Sequence, residues 1–242
     1  MTICAHAGTV TLDVLSYTFP LAGGGGGASA TLNGVPVEIY CDDFAHDIDT
    51  PSSNSAYVTT LGISANLDET RFGDVSHTDW TAIHGLGSQD DAFFNTGSGS
   101  YALARYEMVA YLVSLYNQTP GNTTANNQIQ EAIWTILDPN QEGSVINPAN
   151  VNASTYLEQA ANWYTSMNAN QSALNSFLSK FEIVSSANMT FKNGIETGGF
   201  QEQIVMTPEP RAGVWILLSL LVGGFLVVRR NPTVYRTAAD QV

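Results

Sequence analysis

The spacing of hydrophobic and polar residues changes twice along the chain. In the first part, β-branched and apolar side chains partly alternate with polar ones, which predicts strands at residues 9–18, 35–40 and 57–63. The glycine run at 23–27 predicts a flexible turn or loop, and the polar residues 42–55 predict a turn-rich connection. The chain is therefore expected to begin with β structure.

From about residue 79, apolar residues recur every three or four positions. Tyr101, Ala104, Met108, Leu112 and Leu115 follow this spacing, which predicts an amphipathic helix that ends before Pro120. Further helices are predicted at about 126–137, 154–167 and 172–180, and returning strands at 182–184 and 202–206. This order predicts an α+β domain with N-terminal strands, a central helical segment and returning C-terminal strands, rather than an alternating α/β fold.

Composition is compatible with a packed exported domain at 8–207. The chain has 242 residues, of which 44% are hydrophobic, and it is long enough for one substantial domain with tails. Its 22 acidic residues outnumber 8 basic ones, giving a formal net charge of −14. Such a surface repels polyanions, so nucleic acid is excluded as a partner.

The C-terminal part contains an uncharged stretch at 212–228. As a helix these residues span about 25 Å, close to the ~30 Å hydrocarbon core of a bilayer, which predicts a single C-terminal transmembrane helix. A buried core helix is the alternative. Arg229 and Arg230 follow directly and are expected to stay cytoplasmic with the tail at 231–242, which places 8–207 outside.

The N-terminus is consistent with export. Ala5-His6-Ala7 is a small-x-small triplet of the kind that precedes signal cleavage, so residues 1–7 are interpreted as the remnant of a signal peptide. A chance match is the alternative, because no basic or apolar region precedes the triplet. Removal of this segment takes Cys4 away and leaves Cys41 as the single cysteine, which has no partner for an internal disulfide.

The C-terminal pattern resembles the PEP-CTERM sorting signal of bacterial exported proteins. The matching residues are Pro208, Glu209 and Pro210, then the apolar stretch, then Arg229 and Arg230, so the signal covers 208–230. The resemblance implies processing by an exosortase-type membrane protease and a cell-envelope location, with release or re-anchoring after processing. The tail after the arginines is longer than is usual for this signal.

Gln130 is the second notable feature. On the predicted helix it shares a face with Ile133, Trp134 and Leu137, at offsets of three, four and seven. A carboxamide that points into a core costs roughly 1–3 kcal/mol unless it is hydrogen-bonded. Gln130 is therefore expected to have a specific buried partner.

The residues around Cys41 and Gln130 resemble the thioester domains of bacterial surface adhesins. Tyr40-Cys41 matches the strand motif of that family, and Gln130-Glu131-Ala132-Ile133-Trp134 matches its helix motif, with Ile129 in place of a threonine. The resemblance covers about 35–140. It implies a thioester crosslink between Cys41 and Gln130, shielded by Tyr40 and Trp134, that reacts once with an amine-bearing surface or matrix ligand. No turning-over catalytic residue and no cofactor or metal is predicted.

Other interpretations remain open from the sequence. Cys41 and Gln130 are compatible with an inert buried thiol and a hydrogen-bonded amide in a passive structural or matrix-associated protein. Cys41 with His46, His77 or His84 would suggest a hydrolase, although neighbouring acids oppose thiolate formation. Asp42, Asp43, Asp47 and Asp49 suggest calcium binding, but their spacing is not that of an EF-hand, which favours a solvated acidic loop.

Overall fold

A computed structural model describes residues 8–20, 25–43, 47–73, 100–116, 118, 121–137, 153–192 and 195–207. The chain divides into two units, Met1–Thr207 and Pro208–Val242. The predicted signal remnant at 1–7, the sorting signal at 208–230 and the tail lie outside the described residues. In the part of the chain that is described, no helix is both long and apolar enough to cross a membrane.

The described chain contains eight strands and four helices. In chain order they are β1 (Val10–Pro20), β2 (Gly26–Leu32), β3 (Val35–Cys41), β4 (Ser52–Thr60), α1 (Ser100–Tyr116), α2 (Thr123–Leu137), α3 (Ala153–Asn168), α4 (Gln171–Leu178), β5 (Phe181–Ser186), β6 (Thr190–Lys192), β7 (Ile195–Thr197) and β8 (Gln203–Met206). The predicted helices therefore exist, with ends displaced by a few residues. α2 begins three residues earlier than predicted because the Asn122 side chain caps it, accepting a hydrogen bond from the Ala125 N–H at 3.1 Å.

Six strands form a closed antiparallel barrel in the order β1-β2-β3-β8-β5-β4, and β6 pairs with β7 in a separate hairpin. The β2–β3 turn consists of Asn33 and Gly34, both with positive φ, as a two-residue hairpin of this type requires. β8 lies between β3 and β5, so the end of the described chain joins its beginning.

The predicted α+β domain with N-terminal strands, a central helical segment and returning C-terminal strands is therefore wrong, because the described chain forms a closed antiparallel barrel with helices inserted between β4 and β5. The transmembrane helix predicted at 212–228 lies outside the described residues. The error has a physical cause. β2 is composed of glycine, alanine, serine, threonine and leucine, and it lacks the bulky β-branched run that predicts a strand. Without β2 the strand set cannot close, and the pairing of β3 with β8 cannot be recognised from local pattern.

The strands separate two hydrophobic cores. Successive residues of a strand point to opposite faces, so Ile39 belongs to the core inside the barrel and Tyr40 to the core between the barrel and the helices. On β8, Val205 belongs to the core inside the barrel and Ile204 to the core between the barrel and the helices. The Cys41 end of β3 thus lies where the barrel wall meets the helical layer.

Candidate functional site

Cys41 is the last residue of β3, and its pairing with Gln203 of β8 fixes it at the barrel rim. It is 3% exposed and is a free thiol. The thiol donates to the Asp43 carbonyl at 3.2 Å, and the Trp134 indole N–H donates to Sγ at 3.4 Å. The sulfur is therefore held on two sides, one of them formed by α2.

Gln130 projects from α2 into the same cluster and is 1% exposed. Its Nε2 donates to the Cys41 carbonyl oxygen at 2.8 Å. Its Oε1 accepts two hydrogen bonds, from the Gly26 N–H at 2.9 Å and from the Tyr116 hydroxyl at 3.1 Å. The structure thus brings the Cys41 and Gln130 side chains together with Trp134, and gives the carboxamide a fully specified orientation.

Tyr40, predicted to shield the thioester, stacks on an aromatic residue of α1. Its ring lies parallel to that of Tyr116, with centroids 5.3 Å apart and an interplanar angle of 5°. The stack joins β3 to α1 and positions the Tyr116 hydroxyl on the Gln130 oxygen. Sequence reasoning missed Tyr116, because nothing in the α1 pattern distinguishes it from an ordinary core aromatic residue.

The glycine run has a packing role that the prediction of a flexible loop did not include. A Cβ on Gly25 would lie 2.6 Å from Cζ2 of Trp134 and 2.7 Å from Cγ of Gln130, far inside van der Waals contact. Gly25 therefore permits α2 to approach β2 closely enough for the Gly26 N–H to reach Gln130.

We expect Gly25→Ala to displace Gln130 and Trp134 and to destabilise the fold by about 1–3 kcal/mol, the usual cost of overpacking. Urea unfolding measures the loss. Gly8→Ala is the matched control, because a Cβ there meets nothing within 4 Å. Equal stability of the two variants would contradict the close packing described for Gly25.

The electrostatic surroundings keep the Cys41 thiol neutral. Burial raises the pKa of this thiol well above its ordinary value, and the nearby Asp42 and Asp43 carboxyls raise it further, while the Trp134 hydrogen bond partly opposes them. A hydrolase of the cysteine type needs a stable thiolate and a histidine base. The three histidines considered for that role lie outside the described residues. Burial and the neighbouring carboxyls of Cys41 disfavour the thiolate.

An ionic cluster lies next to the site. Arg71 Nε is 2.8 Å from Asp43 Oδ2, and the Arg71 Nη2 donates to the carbonyls of Gly198 and Phe200 at 3.0 Å. The Glu202 carboxylate accepts from the Arg71 backbone N–H at 2.6 Å. Arg71 therefore ties the residues that follow β3 to the segment that precedes β8.

Glu202 is held by two hydroxyl donors as well. Tyr106 donates to its Oε1 at 2.5 Å, and Ser185 donates to its Oε2. Burial raises the pKa of Glu202 to about 7, with the Arg71 N–H and these hydroxyls opposing the shift. The cluster thus contains a carboxyl that changes its charge near neutral pH.

The four aspartates considered for calcium do not form one group. Asp42 and Asp43 are fully buried in the ionic cluster, whereas Asp47 is exposed. Among the described residues, no set of three or more histidine, cysteine or acidic side chains is arranged to hold a metal ion. For Asp42 and Asp43, the expectation of a solvated acidic loop is wrong, because Arg71, Glu202 and the Tyr106 helix enclose them.

Comparisons with protein-family models, with curated proteins and with solved structures find no match for this chain.

Proposed function

We propose that the chain forms an internal thioester between Cys41 and Gln130 and uses it to attach covalently to an amine-bearing partner. The observation that carries this proposal is the environment of the Gln130 carboxamide. Its oxygen accepts from the Gly26 N–H and the Tyr116 hydroxyl, while the Cys41 thiol lies in the same buried cluster. Two donors on one carbonyl oxygen are the arrangement that stabilises a tetrahedral oxyanion in acyl transfer.

Thioester formation begins with attack of Cys41 Sγ on Cδ of Gln130. The C–S bond forms and the carbonyl oxygen becomes an oxyanion, which Gly26 and Tyr116 stabilise. Collapse of this intermediate breaks the C–N bond. The thiol proton is transferred to the departing nitrogen, so ammonia leaves and the charges balance.

Burial preserves the product until an amine reaches it. Cys41 and Trp134 are each 3% exposed and Gln130 is 1% exposed, so bulk water has little access to the acyl carbon. An amine then forms a C–N bond to Cδ, the C–S bond breaks, and the thiolate takes the proton that the amine loses. The partner is left joined to Gln130 by an amide, and the reaction occurs once per chain.

The cellular location of the protein remains a prediction from the sequence. The resemblance of Pro208, Glu209, Pro210, Arg229 and Arg230 to a PEP-CTERM signal supports export to a bacterial cell envelope and processing by an exosortase-type protease. The amine-bearing partner would then be a surface or matrix component. These residues lie outside the described part of the chain.

The experiment is the intact mass of the purified full-length chain. We expect the wild type to weigh one ammonia less than its sequence, and Cys41→Ala to show the full mass. Cys4→Ala is the matched control, because it removes the other cysteine and leaves Gln130 and Cys41 unchanged. Methylamine should add to the wild type at Gln130 and free one thiol.

A wild-type chain of full mass with both thiols titratable would contradict the thioester. The Gln130 hydrogen bonds would then have a purely structural role, as in a passive envelope protein. Methylamine addition without any requirement for Cys41 would also count against the proposal, because no other described acyl donor is expected to react with an amine.

A further inference from the structure

The Trp134 indole directs its polar edge at the sulfur of the proposed thioester. Its N–H donates to Cys41 Sγ at 3.4 Å, and the residue is 3% exposed. The resemblance to adhesin thioester domains implies only shielding for this side chain. A ring that only excludes water can turn any face or edge towards the sulfur, so the direction of the N–H points to a further role.

The same ring also lies beside the carbon atom that would carry the thioester. The point at which a Cβ of Gly25 would stand is 2.6 Å from Cζ2 of Trp134 and 2.8 Å from Cδ of Gln130. Gln130 and Trp134 are four residues apart on α2, so they share one face of the helix. The indole is therefore close to both atoms of the proposed C–S bond, with its N–H on the sulfur.

The two hydrogen bonds of the sulfur differ in what they can stabilise. The Asp43 carbonyl accepts from the neutral thiol at 3.2 Å, and as an acceptor it cannot stabilise a thiolate. The indole N–H is a donor, and a hydrogen bond to a charged acceptor is stronger than one to a neutral acceptor. The Trp134 contact therefore favours negative charge on Cys41 Sγ over the neutral thiol or thioester.

We propose that the Trp134 indole N–H stabilises the sulfur as it leaves during reaction with the amine, so that Trp134 is a catalytic residue as well as a shield. The amine nitrogen bonds to Cδ of Gln130, the Cδ–S bond breaks, and its electron pair stays on the sulfur, which accepts the indole hydrogen bond. The thiolate then takes the proton that the amine nitrogen loses, and the indole keeps its own. This inference rests on the proposed thioester.

Shielding and hydrogen-bond donation predict opposite effects when the indole is removed. If Trp134 only excludes solvent, a smaller ring admits methylamine and water more easily, and the thioester opens faster. If the N–H stabilises the leaving sulfur, its removal makes the transition state less stable, and the thioester opens more slowly. The direction of the rate change therefore distinguishes the two roles.

The test measures how fast methylamine opens the thioester in the purified full-length chain, by intact mass and by release of the thiol. Trp134→Phe should slow this reaction by about 10- to 100-fold, the range expected for one hydrogen bond to a charged atom. Trp163→Phe is the matched control, because it removes an indole from another helix, where the ring stacks on Tyr111 at 4.9 Å. We expect the control to react at the wild-type rate.

A second variant removes the N–H without changing the size of the ring. Benzothienylalanine, in which a ring sulfur replaces the indole N–H, is placed at position 134 of the otherwise unchanged chain. Its thioester should also open more slowly than that of the wild type. This comparison decides the question even if Trp134→Phe does not fold, because the analogue covers the sulfur as the indole does.

The outcomes separate this inference from the proposed function. A wild-type thioester that opens at the same rate with the analogue, or no more slowly in Trp134→Phe, would overturn the role of Trp134 and leave the thioester in place. Equal slowing in Trp163→Phe would also overturn it, because the effect would then come from helix packing. A wild-type chain without the ammonia deficit would overturn the thioester itself.

Discussion

Replacement of Tyr116 by phenylalanine is expected to slow thioester formation by about 10²-fold, which is the usual cost of removing one oxyanion donor. The change removes only the hydroxyl that donates to Gln130 Oε1 at 3.1 Å. The ring remains to stack on Tyr40, and the Gly26 N–H remains as the second donor. The fold should therefore remain intact, and the slower rate should come from weaker stabilisation of the transition state.

The measurement is the time course of ammonia loss by intact mass after refolding of the full-length chain. Tyr111→Phe is the matched control, because it removes the same group from the same helix, where the ring stacks on Trp163 at 4.9 Å. We expect the control to react at the wild-type rate. Equal slowing by both variants would mean that the effect comes from α1 packing and not from the Gln130 oxygen.

The helices could be predicted because their signals are local. Apolar residues recur every three or four positions in each of them, and Pro120 with Gly121 marks the end of the first. The displaced start of α2 also has a local cause, since the Asn122 cap precedes the apolar stripe by a turn. Such features need no knowledge of the rest of the chain.

The barrel could not be predicted in the same way, although one signal was available. Asn33-Gly34 is the strongest short hairpin signal, and it would have placed a strand before Val35 in spite of the small residues there. The pairing of β3 with β8 has no such marker. It joins residues more than 160 positions apart, as in the pair Cys41 and Gln203, and only the closed sheet specifies it.

The residues of the candidate site also differ in whether local sequence predicts them. Cys41, Gln130 and Trp134 belong to motifs that can be read from short segments, whereas the roles of Gly25 and Tyr116 depend on contacts between distant elements. The aspartates illustrate the difference most clearly. Their sequence context is polar, yet Asp42 and Asp43 are buried because Arg71 comes from another loop to pair with Asp43.

Arg71→Ala should have the largest effect on stability of any change in the ionic cluster. Arg71 is 2% exposed and contacts Asp43, and its backbone N–H donates to Glu202. Removing the cation from a buried pair leaves an uncompensated charge and typically costs 3–5 kcal/mol, about the whole stability of a marginal domain. Urea unfolding of wild type and variant gives the difference.

The stability lost in Arg71→Ala should increase as pH rises. Burial raises the pKa of Glu202 to about 7, above its unfolded value, so its contribution to stability is full at low pH and is lost as pH rises through 7. Without the Arg71 charge, which lowers the pKa of Glu202, this pKa rises further. The stability difference should therefore be smaller near about pH 5 than near about pH 8.

A double variant separates the buried charge from simple loss of packing. Arg71→Met with Asp43→Asn removes both ionised partners at similar volume, and it should recover part of the stability lost in Arg71→Ala. If the double variant is no more stable than the single one, and the loss is the same at both pH values, the cost lies in the Arg71 contacts to Gly198 and Phe200 instead.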